Sequence, residues 1–271
     1  MPASHHLRRL LIVALTGYLA LAGIMFLGQR RLLYNTADGG ALADASGLAI
    51  PGSERVEIAT ADGERLAGWY VSPSAAKPVM LFFHGQGGGL PWMTGRWAAL
   101  RAAGAGVLAI SYRGYPGSTG RPSETGLIRD AEAAHAWLRR RHEANLIVIH
   151  GLSLGSGVAV ALAERVEARA LILEAPFSAA VDVAADRYPF LPVRWLMLDT
   201  FLSRERIGRI RMPVLIVHGA RDTVIPIEHG RRLLARANAP KVFVEIAEGG
   251  HTSLVRYGLY EHVWRFIGVH P

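Results

Sequence analysis

The chain has 271 residues, 51% of them apolar, with 30 lysines and arginines against 22 acidic residues and no cysteine. That length suits one domain with a large core, and the missing cysteine excludes disulfides, a thiol nucleophile and a cysteine-based metal site. The net charge of +8 is nearly all arginine, Lys77 and Lys241 being the two lysines, and it suits anionic lipid headgroups; no aromatic-interleaved basic motif points to a nucleic-acid partner.

Leu10 to Gly28 holds no charged residue over 19 positions, with Arg8 and Arg9 before it and Arg30 and Arg31 after. At about 1.5 Å per residue, such a helix crosses a hydrocarbon layer of about 30 Å. A cleaved signal peptide is the competing reading, because Ala20-Leu21-Ala22 places small residues before Gly23. Ile24-Met25-Phe26-Leu27 continues the apolar run past that point, which favours an anchor that is retained. A buried core helix is disfavoured because the later strands complete a sheet without it. The division expected is therefore an anchor at 1–31, spanning at 10–28, a linker at 32–54 and a folded domain at 55–271. Two arginines flank each end of the span, so the orientation rests on the amino-terminal charge, which places the domain on the non-cytoplasmic side, a periplasm in a bacterium.

Arg55 to Ile58 and Leu66 to Val71 flank Ala61-Asp62-Gly63-Glu64 and read as an antiparallel hairpin at a sheet edge. Short apolar runs follow near Val79 to Phe83, Val107 to Ser111, Leu146 to His150, Ala170 to Leu173, Val214 to His218 and Val242 to Ile246, as expected of strands buried on both faces. Helical patterns lie between them, among them Leu127 to His142, Gly157 to Val166 and Glu228 to Arg236. Such alternation predicts a three-layer α/β fold with a mostly parallel central sheet. The alternation breaks between Ser178 and Met212, where Tyr188-Pro189-Phe190-Leu191-Pro192 precedes a group of bulky side chains. This segment reads as a small helical cap, with Trp195, Met197 and Phe201 either lining a substrate pocket or covering the core.

The chemistry is concentrated where three of these strands end. Gly151-Leu152-Ser153-Leu154-Gly155 follows a buried strand and opens a helix of small residues, the pattern of a nucleophile elbow, with Ser153 lifted clear on a sharp turn. Asp222 falls just past the run Val214 to His218, along the edge where open parallel sheets build their sites, and can accept the Nδ1 proton of a histidine. An N-cap role for the helix that follows is the bland alternative for Asp222. His251, behind Gly249-Gly250 and the last strand, is placed to act as general base. The order serine, acid, histidine is the one this arrangement requires. His84-Gly85-Gln86-Gly87-Gly88-Gly89 is a glycine loop after a strand. It is expected to give one backbone N–H to an oxyanion, from Gln86 or less readily Gly87, beside that of Leu154. His84 itself reads as structural. His135 and His142 complete no metal-ligand motif, and no metal or cofactor is expected.

Taken together, these motifs resemble the alpha/beta-hydrolase superfamily over roughly Arg55 to Ile267. Ser111-Tyr112-Arg113-Gly114-Tyr115, Gly117-Ser118-Thr119-Gly120, Pro122-Ser123-Glu124 and Glu174-Ala175-Pro176-Phe177 further resemble the membrane-anchored alpha/beta-hydrolase-domain proteins. Gln86, Ser111 and Pro116 depart from that pattern, where asparagine, an acidic residue or asparagine, and glycine are usual. The resemblance implies a serine hydrolase of esters or thioesters that works through an acyl-enzyme, with Ser153, His251 and Asp222 as triad and Leu154 and Gln86 as oxyanion donors. The expected partners are a small ester or lipid-like substrate and the membrane. The rivals are a peptidase or acyltransferase on the same triad and a tethered binding protein without turnover.

Overall fold

In the computed structural model, residues 2–36, 52–87, 90 and 94–268 are described. The expected linker therefore falls largely outside the described residues, at 37–51, as do Gly88 and Gly89 of the glycine loop. Among the described residues, eight strands form one sheet: β1 (Ser53–Ala59), β2 (Arg65–Val71), β3 (Val79–Phe83), β4 (Gly106–Ile110), β5 (Ile147–Leu152), β6 (Ala170–Glu174), β7 (Val214–Gly219) and β8 (Lys241–Ile246). Their order is β1-β2-β4-β3-β5-β6-β7-β8. The hairpin β1–β2 and the β2–β4 pair are antiparallel, and every other pair is parallel.

The period-2 geometry of a strand divides the apolar runs between two cores. Val79, Leu81 and Phe83 of β3 enter one cluster with α3 (Glu124–Arg139) and α4 (Leu154–Ala163). Met80 and Phe82 enter the other, under α2 (Thr94–Ala102) and α9 (Leu259–Ile267). This is the three-layer α/β arrangement the strand–helix alternation predicts. One strand departs from the expected burial. In β8, Lys241, Val242 and Glu245 are exposed, because β8 is an edge strand whose outer side has no neighbouring strand.

Helix boundaries shift where a cap decides them. α3 starts three residues before the apolar period does, since Ser123 caps it by accepting the Gly126 N–H (3.1 Å). α4 opens directly after Ser153 rather than at Gly157. Between β6 and β7 lie α5 (Ala180–Arg187), α6 (Val193–Leu196) and α7 (Ser203–Arg206), which form a small cap over the C-terminal edge of the sheet. The remaining helices are α8 (Ile227–Arg236) and, before the sheet, α1 (Pro2–Leu33). The segment His5–Leu33 contains an 18-residue window with a mean hydropathy of 2.4 and is long and apolar enough to cross a membrane. Its C-terminal half lies along the cap.

Candidate active site

Parallel strands end on one edge, and β5, β7 and β8 deliver the three predicted residues to it. Ser153 sits between the last residue of β5 and the first of α4 with φ +52° and ψ −117°. Non-glycine residues seldom adopt this backbone, and it costs on the order of 1–3 kcal/mol. The turn is held from several sides: the Ser153 N–H donates to the Glu174 carbonyl (3.0 Å), and the Ser153 carbonyl accepts from both the N–H (2.9 Å) and the hydroxyl (2.6 Å) of Ser156. Glycine is required beside it for space. A Cβ on Gly155 would press on the Phe83 carbonyl, and one on Gly151 on the carbonyl of Gly155.

Asp222 follows β7 in a tight loop. Its Oδ1 accepts the N–H groups of Val224 and Ile225, both at 2.9 Å. Its Oδ2 lies 2.8 Å from His251 Nδ1 and 3.3 Å from His218 Nε2. Burial opposes ionisation of this carboxyl, but the bonds from His218, His251 and the Ile225 N–H outweigh it and hold Asp222 well below the ordinary carboxylate range. His251, after β8, puts Nε2 2.9 Å from Ser153 Oγ. Serine, imidazole and carboxylate are thus joined in one hydrogen-bonded line. The N-cap alternative for Asp222 does not describe its surroundings: Pro226 holds the N-cap of α8, and the Asp222 carboxylate binds the loop N–H groups and two histidines.

Leu154 is the first residue of α4, so its N–H has no carbonyl one turn back to donate to and stands beside Ser153. Gln86 shares the cavity with Ser153 and Leu154. Its loop is fixed by two tyrosines: the Tyr115 hydroxyl donates to the Gln86 carbonyl (2.7 Å), and the Tyr112 hydroxyl to that of His84 (3.1 Å). The Gln86 side-chain amide donates to the Leu32 carbonyl at the end of α1. His84 is buried, its Nδ1 2.7 Å from the Gly85 carbonyl. Burial pushes it down to about 4 despite that bond, so it is neutral and structural.

The three residues expected at the pocket separate. Met197 lines the cavity. Trp195 does not: on the single turn of α6, Val193 and Leu196 share the inward face, which leaves Trp195 outward and 89% exposed. Phe201 is buried beneath the cap, where its ring meets that of Phe177 at 6.3 Å and fills the space above Gly157. Sequence reasoning missed three contributors. His218 and the Val224–Ile225 amides hold Asp222, Tyr112 and Tyr115 hold the glycine loop, and α1 walls the cavity through Met25, Phe26 and Leu33. His218 ends a predicted strand four residues before Asp222, a signal that was present. Nothing local marks Met25 or Phe26 as anything but membrane-facing.

Beneath the elbow, Glu174 is fully buried in a two-pronged pair with Arg96 (2.5 and 2.7 Å). Burial opposes its ionisation, yet Arg96 outweighs this and holds it at about 2. This pair anchors α2 to the end of β6, whose Glu174 carbonyl receives the Ser153 N–H.

Residues 74–204 match the family model described as serine aminopeptidase, S33. The chain is 39% identical to an uncharacterised protein of Mycobacterium tuberculosis strain H37Rv, over 90% of this chain and 88% of that one. It is 34% identical to human alpha/beta hydrolase domain-containing protein 17B, over 77% of this chain and 73% of the relative. Among solved structures, an esterase of Pyrococcus furiosus superposes with a TM-score of 0.67 at 20% identity, covering 87% of this chain and 98% of the esterase, a likeness of fold. With a strand order, an elbow and relatives that all agree, the chain belongs to the alpha/beta-hydrolase family of serine hydrolases.

Proposed function

We propose that this hydrolase cleaves carboxylic esters or thioesters, with Ser153 as nucleophile, His251 as general base and Asp222 as its orienting carboxylate. The observation that carries the reading is the unbroken line from Ser153 Oγ to His251 Nε2 (2.9 Å) and from His251 Nδ1 to Asp222 Oδ2 (2.8 Å). His251 Nε2 accepts the serine proton as Oγ attacks the acyl carbon. Asp222, held ionised by its four partners, fixes the tautomer and stabilises the imidazolium. The oxyanion is received by the N–H groups of Leu154 and Gln86. The imidazolium then protonates the leaving alcohol or thiol, the carbonyl re-forms, and the acyl group remains on Ser153. Water enters, gives its proton to His251, and attacks the acyl-enzyme; collapse frees the acid and returns the proton to Ser153.

An ester or thioester is favoured over a peptide amine terminus by the cavity's charge. A free amine needs an unneutralised carboxylate, and the carboxylate that lines this cavity, Asp199, is paired with Arg30 at 2.8 Å. We assign residues 1–31 to a membrane anchor, 32–54 to a linker and 55–271 to the catalytic domain, held on the non-cytoplasmic face. The test is labelling with a fluorophosphonate probe alongside hydrolysis of p-nitrophenyl esters from two to sixteen carbons, in wild type and Ser153→Ala. Labelling and hydrolysis that both vanish in the variant support the reading; a wild type that neither labels nor turns over any ester, thioester or amide overturns it in favour of a binding protein.

A further inference from the structure

The cap is tied to α1 along a length that conflicts with a cap held clear of the membrane. The Tyr18 hydroxyl donates to the Phe190 carbonyl (3.1 Å), Gln29 donates to the Leu196 carbonyl (3.2 Å) and accepts the Leu198 N–H (2.7 Å), and Arg30 pairs with Asp199. Contacts therefore run from Tyr18 to Arg30, about 18 Å of helix. If Leu10 to Gly28 fills the hydrocarbon layer, Tyr18 lies about 15 Å inside its boundary, near the midplane. Sliding the helix to lift Phe190 out leaves Leu10 to Gly17 for the membrane, about 12 Å before Arg8 and Arg9, too short to span.

The surface of the cap agrees with that depth. Phe190, Trp195 and Leu198 on the cap are 59%, 89% and 55% exposed, and Leu19, Ile24 and Leu27 on α1 are exposed as well. Large exposed apolar side chains on both elements mark a surface suited to lipid rather than to water. Arg194, beside Trp195, turns back to Asp182 at 2.5 Å, and exposed Arg187 has a stem long enough to carry its charge toward headgroups. Between α1 and the cap lies a cavity of about 490 Å³ that reaches Ser153, with Met25, Phe26 and Leu33 on one wall and Leu191, Leu196 and Met197 on the other.

We infer that the cap is inserted with α1 into one leaflet of the bilayer, and that the anchor helix is itself a wall of the acyl pocket. A long-chain acyl ester then enters sideways from the leaflet, between α1 and the cap, with its carbonyl arriving at Ser153. What happens to that ester rests on the proposed triad; the depth of the cap does not.

Two measurements on the full chain in phosphatidylcholine vesicles test this. In the first, the fluorescence lost in Trp195→Phe gives the Trp195 contribution, which is followed as lipids brominated at mid-chain replace unbrominated ones. Quenching of that contribution by twofold or more is expected; no quenching places the cap above the headgroups and overturns the inference. In the second, Met25→Trp fills the cavity from the α1 side, with fluorophosphonate labelling as the check on folding. The ratio of p-nitrophenyl palmitate to p-nitrophenyl acetate hydrolysis is expected to fall at least tenfold. Met25→Ala, which adds no bulk, shifts the preferred chain length. A ratio and a preferred length that stay at the wild-type values in both variants remove α1 from the pocket. Failure of the triad reading looks different: wild type shows no labelling and no hydrolysis at any chain length, while Trp195 quenching is unaffected.

Discussion

The floor and the roof of this active site are built in opposite ways. The floor is the C-terminal edge of the sheet, where Ser153, Asp222 and His251 are held by short hydrogen bonds from strands and loops that are themselves buried. The roof is α1 against the cap, joined by a few polar clips between residues 167 to 172 positions apart, with large apolar side chains on its outer surface. Chemistry demands sub-ångström placement and so is built on the rigid layer. Choice of substrate tolerates movement, and on the proposed reading it falls to the part that few contacts hold.

The sharpest test of a rigid floor is that its members act as one unit. Ser153→Ala is expected to lower kcat by about 10⁴-fold or more, and adding His251→Ala should lower it little further, because neither group works without the other. Asp222→Asn should cost about 10³–10⁴-fold with the fold intact, since the amide can present its N–H to His251 and select the wrong tautomer. Stopped-flow acylation with a p-nitrophenyl ester measures both; strictly additive losses would mean that the three residues are not coupled.

Next in size is the backbone beneath the serine. Gly155→Ala puts a methyl group against the Phe83 carbonyl, where β3 and α4 are both fixed by the sheet. A loss of stability of about 4 kcal/mol or more is expected, read from urea unfolding. Gly28→Ala in α1 has open space around its Cβ and should leave that midpoint within about 0.5 kcal/mol.

The floor also carries an acid sensitivity. His84 titrates at about 4 in the folded chain against an ordinary 6.5, so between those values the unfolded state takes a proton that the folded state refuses. The His84 contribution is complete above pH 6.5 and declines as the pH falls toward 4, by about 3 kcal/mol in all. Glu174, depressed to about 2 from 4.5, has the same sign over a lower window: its contribution is present above pH 4.5 and is lost as the pH falls through 2. Denaturant midpoints between pH 7 and 4 measure the His84 effect together with that of His150 and His229, which burial also pushes down, and His84→Gln should reduce that slope while leaving the acid limb below pH 4.5 in place.

The same division explains what could be read from the chain alone. Strands β3 to β7 announce themselves as apolar runs because both faces are buried, and β3, β5 and β7 lead into the glycine loop, Ser153 and Asp222. β8 carries a similar run but lies at an edge, so its burial was overstated. The elbow was readable because Ser153 and its glycines are local. For Trp195 and Phe201 bulk alone leaves pocket wall and core cover both open, and direction is the missing quantity: a one-turn helix points Trp195 away, and Phe201 packs inward above Gly157. The wall supplied by α1 had no local signal at all, since a side chain facing a cavity and one facing lipid are both simply apolar.

The smallest expected effect is the one that probes the roof most directly. Gln29 closes two bonds at once, donating to the Leu196 carbonyl and accepting the Leu198 N–H, so it holds the turn of the cap that carries Met197. These bonds are partly open to solvent, and each contributes about 0.5–1.5 kcal/mol. Gln29→Ala should therefore leave global stability nearly unchanged and loosen the cap locally. A cap that positions the acyl chain converts this into a higher KM for a long-chain ester, about three- to tenfold, with a much smaller change in kcat, since Ser153 and His251 are held from below. Equal changes in KM for acetate and palmitate esters would show that the clip tightens the domain as a whole. A drop in kcat alone would show that the roof reaches the triad, and the separation between floor and roof would then have to be redrawn along the Gln86–Leu32 contact that joins them.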